Sequence, residues 1–476
     1  MVRKHAKIPA GTFLVSLAAA AFLVLAACSD GGSGSSQETD ETTENTEKKD
    51  ENTEKEDEKT DGNTVTSRKI SLSDAPTGYA SLGTSYITSG TKVEVSTKSQ
   101  LTSAIASGNK VIVVTAMIDM SEGMLPDENA DSVTWATALD TFVHETNSSY
   151  SDYAAWVNAY RTACSKTTED GDSESSYKSA LYDDLWALNK AYGNKIALKI
   201  KSGTTLIGKT SDCGIRGGTI QIDGDNIQIR NLTIKDPCDP FPHHEQKNAT
   251  TSDGYNAQWD GINIDSHKNI WIDHCTFEDT ISLEYVTTGT TDTISEKWQI
   301  YDGLCDIKGD STNITVSNCI FKNHDKTMLI GSSDSDGDNT KRFVTLYGNY
   351  FLNCGQRLPM VRNTVVHIFN NYYETAGTPY SSQSCVNARK NAIVYAENNY
   401  FDSGCTYSFS AASGDSTPVL HASGNEGAKA NSTKDISITD DVLFSSLNKY
   451  KYTLLTATEA KTSVLADAGA GCTLTE

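Results

Sequence analysis

The chain has 476 residues and a formal net charge of −22, set by 62 acidic against 40 basic side chains. No nucleic-acid partner is expected, and nine scattered His with eleven Cys and no CxxC spacing argue against a structural zinc module. Length alone leaves two ordinary domains or one extended repeat fold open.

Residues 1–28 place Arg3, Lys4 and Lys7 ahead of an apolar stretch that ends in small residues before Cys28. That layout predicts an export signal, not a membrane span of the finished protein. The tetrad Leu25-Ala26-Ala27-Cys28 resembles the lipobox of bacterial lipoproteins, in which the Cys is acylated and becomes the new N-terminus. An ordinary secretory signal cut near the same place is the alternative. Residues 29–68 follow as an acidic tether, and Ser29–Thr64 contains thirteen acids, four lysines and no Val, Ile, Leu, Phe, Trp, Tyr or Met. Such a segment has too little apolar surface to offset the entropy of ordering. The tether carries −9 of the charge, so overall acidity says little about the substrate.

Residues 69–476 are expected to fold as one domain. Within it, about 122–193 step their apolar residues at helical spacing, as in Trp135, Leu139, Phe142 and Val143, and again in Tyr177, Leu181, Leu185, Leu188 and Tyr192. This block reads as an α-helical insertion whose aromatic residues serve packing before sugar binding.

From residue 227 a different rhythm begins. The stretches "IQIRNLTI" (227–234), "IWIDHCTF" (270–277), "ITVSNCIF" (314–321), "TLYGNYF" (345–351), "HIFNNYY" (367–373) and "VYAENNYF" (394–401) repeat one short alternating strand with loops of different length between copies. Recurrent strands without intervening amphipathic helices do not suit a doubly wound sheet. They predict an all-β solenoid, a parallel β-helix in which each coil covers the apolar face of the next. Asn349, Asn371 and Asn399 fall at one equivalent position, where stacked amides form a ladder. Cys275 and Cys319 share another such position, either as a disulfide or as a stack of buried thiols, and Cys385 with Cys405 forms a further candidate pair.

Three carboxylates stand out, Asp260 in "QWDGINI" and Asp302 with Asp306 in "YDGLCDI". Stacked coils bring them to one face, where hard anionic oxygens suit calcium. The acid-rich "SSDSDGDNT" (332–340) lacks the Glu that an EF-hand loop needs at its twelfth position and reads as a solvated turn. Lys326, Arg357, Arg362 and Arg389 lie near the ends of repeat strands and form a basic stripe beside the acids, suited to an array of carboxylates.

Four motifs in order, "WDGINIDSHKNIWIDHCTFED", "YDGLCDIKGDSTNITVSN", "NHDKTMLIGSSDS" and "QRLPMVRNTVVHIFNNYY", resemble those of pectate lyases of polysaccharide lyase family 1, with weaker echoes from "PTGYASLG" (76–83) to "ADAGAG" (466–471). The resemblance implies a right-handed parallel β-helix that cleaves polygalacturonate by calcium-assisted β-elimination. It implies Asp260, Asp302 and Asp306 as calcium ligands, Arg357 as the catalytic base, and Lys326, Arg362 and Arg389 as substrate-binding cations. Asp273 and His274 match a WIDH signature whose strand position implies a structural role. Gln258 stands where some members place a further acidic ligand, and Met360 replaces an Arg found in many. An arginine base needs neighbouring positive charge to release its proton, so activity is expected to rise toward alkaline pH. Partners implied are polygalacturonate and a membrane reached only through lipid at Cys28, with the protein a monomer. A pectin lyase acting on methylated chains would not be expected to keep the three Asp, and a pectin-binding surface lipoprotein would be expected to lack Arg357 or Lys326.

Overall fold

The computed structural model describes residues 68–83, 91–106, 111–128, 135–169, 180–248, 251–281, 298–338, 340–375, 384–411, 418–429 and 449–475. The export signal, Cys28, the tether up to residue 67 and Tyr177 lie outside these residues.

The repeat strands form three parallel sheets, one of ten strands and two of eight among the described residues. One coil shows the path. The chain runs through Cys305–Lys308 in a third sheet, Thr312–Ser317 in the first and Ile320–Lys322 in the second, then enters the third again at Leu329–Ile330. Each strand pairs with its counterpart one coil away, so the fold is a parallel β-helix. Alternation decides which side chains face inward. Ile229, Ile272, Val316, Leu346, Ile368 and Ala396 stand in register in the first sheet and are buried in one continuous core.

The turn from the first sheet into the second explains the Asn-rich repeats. Asn231, His274, Asn318, Gly348, Asn370, Asn398 and Gly424 all have φ between 49° and 66° at this bend. Only Gly, and Asn more readily than most other residues, takes that left-handed conformation at low cost. The next residue points inward. There Asn349 Nδ2 donates to Asn371 Oδ1 at 3.0 Å, Asn371 to Asn399 at 2.9 Å and Asn399 to Asn425 at 2.8 Å. The ladder therefore extends one rung beyond the three residues read from sequence. In lower coils the same column holds Cys319 and Cys275, which are free buried thiols with the Cys275 N–H 3.4 Å from Cys319 Sγ. Cys385 and Cys405, the other expected pair, are buried thiols and not a disulfide. Two residues further on, the rings of Phe277, Phe321, Phe351, Tyr373 and Phe401 stack at centroid spacings of 4.5 to 5.2 Å.

Helices α2 (Thr137–Thr146), α3 (Tyr153–Glu169) and α4 (Ala180–Ile196) form the insertion, following α1 (Lys98–Ala106). Leu139, Phe142, Trp156, Tyr160, Leu185 and Tyr192 are buried in a separate cluster with Phe241, Trp298 and Tyr301, so these aromatic residues do pack. Helix α1 and a C-terminal helix, α5 (Ala457–Asp467), were not foreseen. The first adds Leu101, Ala104 and Ile105 to the main core. The second begins at a capping box, with Thr456 and Glu459 bonding reciprocally, and lays Val464 and Ala468 against Tyr372.

Asp273 and His274 tie these outer segments to the coils. Buried Asp273 accepts from Arg230 Nε at 3.2 Å, His274 Nδ1 at 2.8 Å and Ser317 Oγ at 2.8 Å. Arg230 also reaches Asp74 at 2.9 Å, and His274 Nε2 lies 3.5 Å from Asp467. Burial alone would push the His274 imidazole down, but the Asp273 charge and hydrogen bonds to Asp273 and Asp467 lift its pKa to about 9.

Candidate active site

Five successive coils of the third sheet assemble every candidate residue foreseen between 260 and 389. Asp260 precedes strand Ile262–Asp265, Asp302 and Asp306 flank and enter Cys305–Lys308, Lys326 precedes Leu329–Ile330, Arg357 and Arg362 bracket Met360–Val361, and Arg389 follows Val386–Ala388. The backbone fixes their register. Gly261 N–H donates to Gly303 O at 2.9 Å, Met328 N–H to Arg357 O at 2.8 Å, Arg362 N–H to Ile330 O at 2.7 Å and Arg389 N–H to Val361 O at 2.8 Å. Neighbouring coils lie about 4.8 Å apart, so acids and cations that are distant in sequence become adjacent.

The acidic half centres on Gly303. A Cβ there would fall 2.3 Å from Asp306 Oδ1 and 2.9 Å from Asp260 Oδ1, so only glycine lets the two carboxylates converge. Asp260 Oδ1 accepts from Gly303 N–H at 3.0 Å, and Asp306 Oδ1 from Leu329 N–H at 2.9 Å. Both side chains are almost fully buried. Burial first, and then the Asp306 charge, pushes Asp260 up to about 8; burial also raises Asp306, against the pull of Lys308. Asp302 is more open, and its carbonyl accepts from His324 Nε2 at 2.7 Å while His324 Nδ1 meets Asp279 at 2.7 Å.

Among the described residues no three His, Cys, Asp or Glu side chains already close around one point as a metal cage. The Lys308 ammonium lies on two of the acids instead, and that of Lys326 stands farther from the third. Lys308 Nζ is 2.7 Å from Asp260 and 3.2 Å from Asp306, and Lys326 Nζ is 3.4 Å from Asp302. The donor set nevertheless fits a hard cation: the Asp260 and Asp306 carboxylates converge at Gly303, and the more open Asp302 offers further oxygens.

The basic half is unevenly paired. Arg362 donates from Nε to Asp334 at 3.1 Å and from Nη1 to Gly331 O at 3.3 Å, and Arg389 Nη1 lies 3.9 Å from Met360 Sδ. Burial, then the Arg389 charge, pushes Arg362 down from the usual arginine range. Arg357 differs in its backbone, which is left-handed at φ 60°; its Nε is buried without a hydrogen-bond partner. An orphaned buried donor on a strained residue is a recurring mark of function.

Residues 167–473 match the sequence profile described as pectate lyase. The chain belongs to the pectate lyase family. Among its relatives, a pectate lyase of Bacillus subtilis is 35% identical over 216 residues, covering 44% of this chain and 49% of that protein. Pectate lyase E of Dickeya dadantii is 41% identical over 180 residues, covering 37% and 42%. The chain thus spans about half the length of the curated relatives it matches. A solved pectate lyase bound to a hexasaccharide superposes with a TM-score of 0.65 at 25% identity, over 83% of this chain and 96% of that structure.

Against that family frame, the sequence reading missed Lys308, Asp334, His324 and Asn256. Lys308 was accessible: it stands two residues after Asp306 on one strand and therefore shares its face. Asp334 lies in the loop read as a solvated turn, but it is paired with Arg362. Asn256, whose oxygen accepts from Lys326 Nζ, comes from a hairpin far from the motifs, and local pattern could not place it.

Proposed function

We propose that the protein is a calcium-dependent pectate lyase that cleaves (1→4)-α-D-galacturonan by β-elimination, with Arg357 as Brønsted base. The observation that carries this reading is Arg357 itself, a guanidinium with an orphaned buried Nε beside converging carboxylates and two further arginines. Calcium held by Asp260, Asp302 and Asp306 would supply positive charge against a uronate carboxylate. Lys326, Arg362 and Arg389 serve the same anionic polymer, Arg362 and Arg389 with planar forks suited to carboxylates. Arg357 takes the proton from C5, the electron pair left behind forms the C4–C5 double bond, and the C4–oxygen bond breaks with its pair leaving on the glycosidic oxygen, which takes a proton from water. Guanidinium holds its proton at ordinary pH, and the neighbouring cations favour its release. Activity accordingly rises toward alkaline pH.

A pectin-binding surface lipoprotein without catalysis would be expected to lack Arg357 or Lys326, and this chain has both. The hexasaccharide bound by the related pectate lyase supports an oligosaccharide-sized groove. We also propose export and lipid attachment at Cys28, supported by the basic, apolar and small-residue order of residues 1–28. Incubation with polygalacturonate, with and without a calcium chelator and across neutral to alkaline pH, tests the activity. Unsaturated, ultraviolet-absorbing product that disappears with chelation is expected; full activity in chelator removes calcium from the proposal, and no product in calcium removes the lyase.

A further inference from the structure

The Lys326 ammonium is held from two sides that differ in charge. One partner is Asp302, whose Oδ1 lies 3.4 Å from Nζ; the other is the neutral side-chain oxygen of Asn256. Asn256 does not belong to the coils. It ends the antiparallel hairpin formed by His243–Asn248 and Thr251–Asn256. The preceding residue, Tyr255, is buried, its carbonyl accepts from Gln299 N–H at 3.1 Å, and its ring meets Trp298 at 4.7 Å and Tyr160 of α3 at 5.9 Å. The Tyr160 hydroxyl in turn accepts from His244 N–H at 3.1 Å. The helical insertion therefore braces the hairpin, and the hairpin ends on Lys326.

Neutrality of the acceptor has a physical consequence. Charge-assisted N–H···O contacts close to about 2.7–2.9 Å when nothing opposes them, and the Lys326 side chain is only 11% exposed, so little water competes. The 3.4 Å separation from Asp302 is that of an ammonium drawn elsewhere. Asn256 draws it without cancelling its charge, which leaves Asp302 available to a cation and Lys326 available to a uronate carboxylate. We propose that Asn256 is a positioning residue for Lys326, presented by the hairpin and the insertion that braces it, and that it keeps the ammonium off the cation-binding carboxylate. The proposal rests on the pectate lyase reading and gives the insertion a role in it.

The test uses the full chain as Asn256→Ala, Asn256→Asp, Lys326→Met and the Asn256→Ala/Lys326→Met double variant. Elimination kinetics on polygalacturonate and the calcium-dependent rise in melting temperature are both measured. Loss of one hydrogen bond to a charged group predicts that Asn256→Ala raises KM about tenfold, with kcat changed less. It also raises the calcium concentration at the midpoint of the melting shift, because Lys326 closes on Asp302. Asn256→Asp, which neutralises the ammonium, raises KM at least as much. In the Lys326→Met background, Asn256→Ala leaves the calcium midpoint unchanged. An unchanged KM and calcium midpoint in Asn256→Ala overturns the inference, as does an effect that persists at full size without Lys326, which marks a purely structural residue. Turnover by the unmodified protein separates the two readings: if it is present, failure concerns Asn256 alone, and if it is absent, the lyase proposal falls and takes this one with it.

Discussion

Leaving a buried guanidinium Nε without a hydrogen-bond acceptor is costly unless the acceptor arrives with the substrate, and the Arg357 Nε is in that position. Arg357→Lys keeps the charge and removes the guanidine base, so turnover is expected to fall by about 10²–10⁴-fold while oligogalacturonate still binds. Arg362 is already paired with Asp334. Its replacement by Lys sacrifices a planar fork and keeps a cation, so weaker binding with a smaller loss of rate is expected. Melting temperature, oligogalacturonate affinity and elimination rate on both variants decide the matter: a folded Arg357→Lys protein with near-normal turnover removes Arg357 as base, and joint loss of stability and activity in both variants makes them structural. The acids predict a different signature. Asp306→Ala leaves the coils folded but lowers calcium affinity, read as a smaller calcium-dependent rise in melting temperature; an unaltered rise would place the cation elsewhere.

The Asn column and the Asp273 network belong to the element scale. Asn371 sits mid-ladder and is buried, accepting from Asn349 Nδ2 and donating to Asn399. Asn371→Ala strands amide groups in the core and should cost roughly 2–4 kcal/mol, whereas Asn425→Ala, at the open end, should cost less because water replaces the lost contacts; equal midpoints in denaturant would contradict the ladder's contribution. His274 adds a pH dependence. Its folded pKa, about 9, exceeds the ordinary 6.5, so its stabilisation is complete below about pH 6.5 and is lost as pH rises through 9. Wild type should therefore lose more melting temperature than His274→Gln between pH 6.5 and 9.5; parallel curves would show that His274 is not charged in the fold. These elements also show what sequence makes legible. The coils, the first three rungs and the third-sheet candidates were readable because period-2 alternation and left-handed Asn turns are local signals. Asn425 was missed because no aromatic follows it, α1 because its nine residues give little periodicity, and Asn256 because its meeting with Lys326 depends on a hairpin braced by distant helices.

At the scale of the whole molecule, charge separates how the protein holds its substrate from how it is held in place. Lys308, Lys326, Arg357, Arg362 and Arg389 gather along the third sheet of a chain whose net charge is −22, so the proposed polyanion would meet its local attraction there. The same balance disfavours electrostatic membrane binding. An anionic leaflet attracts basic segments and repels acidic ones, and Ser29–Thr64 presents thirteen acids against four lysines. Among the described residues no helix is long and apolar enough to cross a membrane. The proposed retention at a membrane rests on lipid at Cys28, as the Leu25-Ala26-Ala27-Cys28 tetrad implies, and under that proposal the Ser at position 29 leads to the outer membrane in a host that has one. Cys28→Ala is expected to abolish incorporation of labelled fatty acid and to shift the protein from the membrane to the soluble fraction, with polygalacturonate turnover per molecule unchanged, because the groove owes nothing to the anchor. Fractionation, lipid labelling and the elimination assay on one preparation check this: a Cys28→Ala protein still lipid-labelled and membrane-bound refutes the anchor, and one released but inactive refutes the independence of groove and anchor.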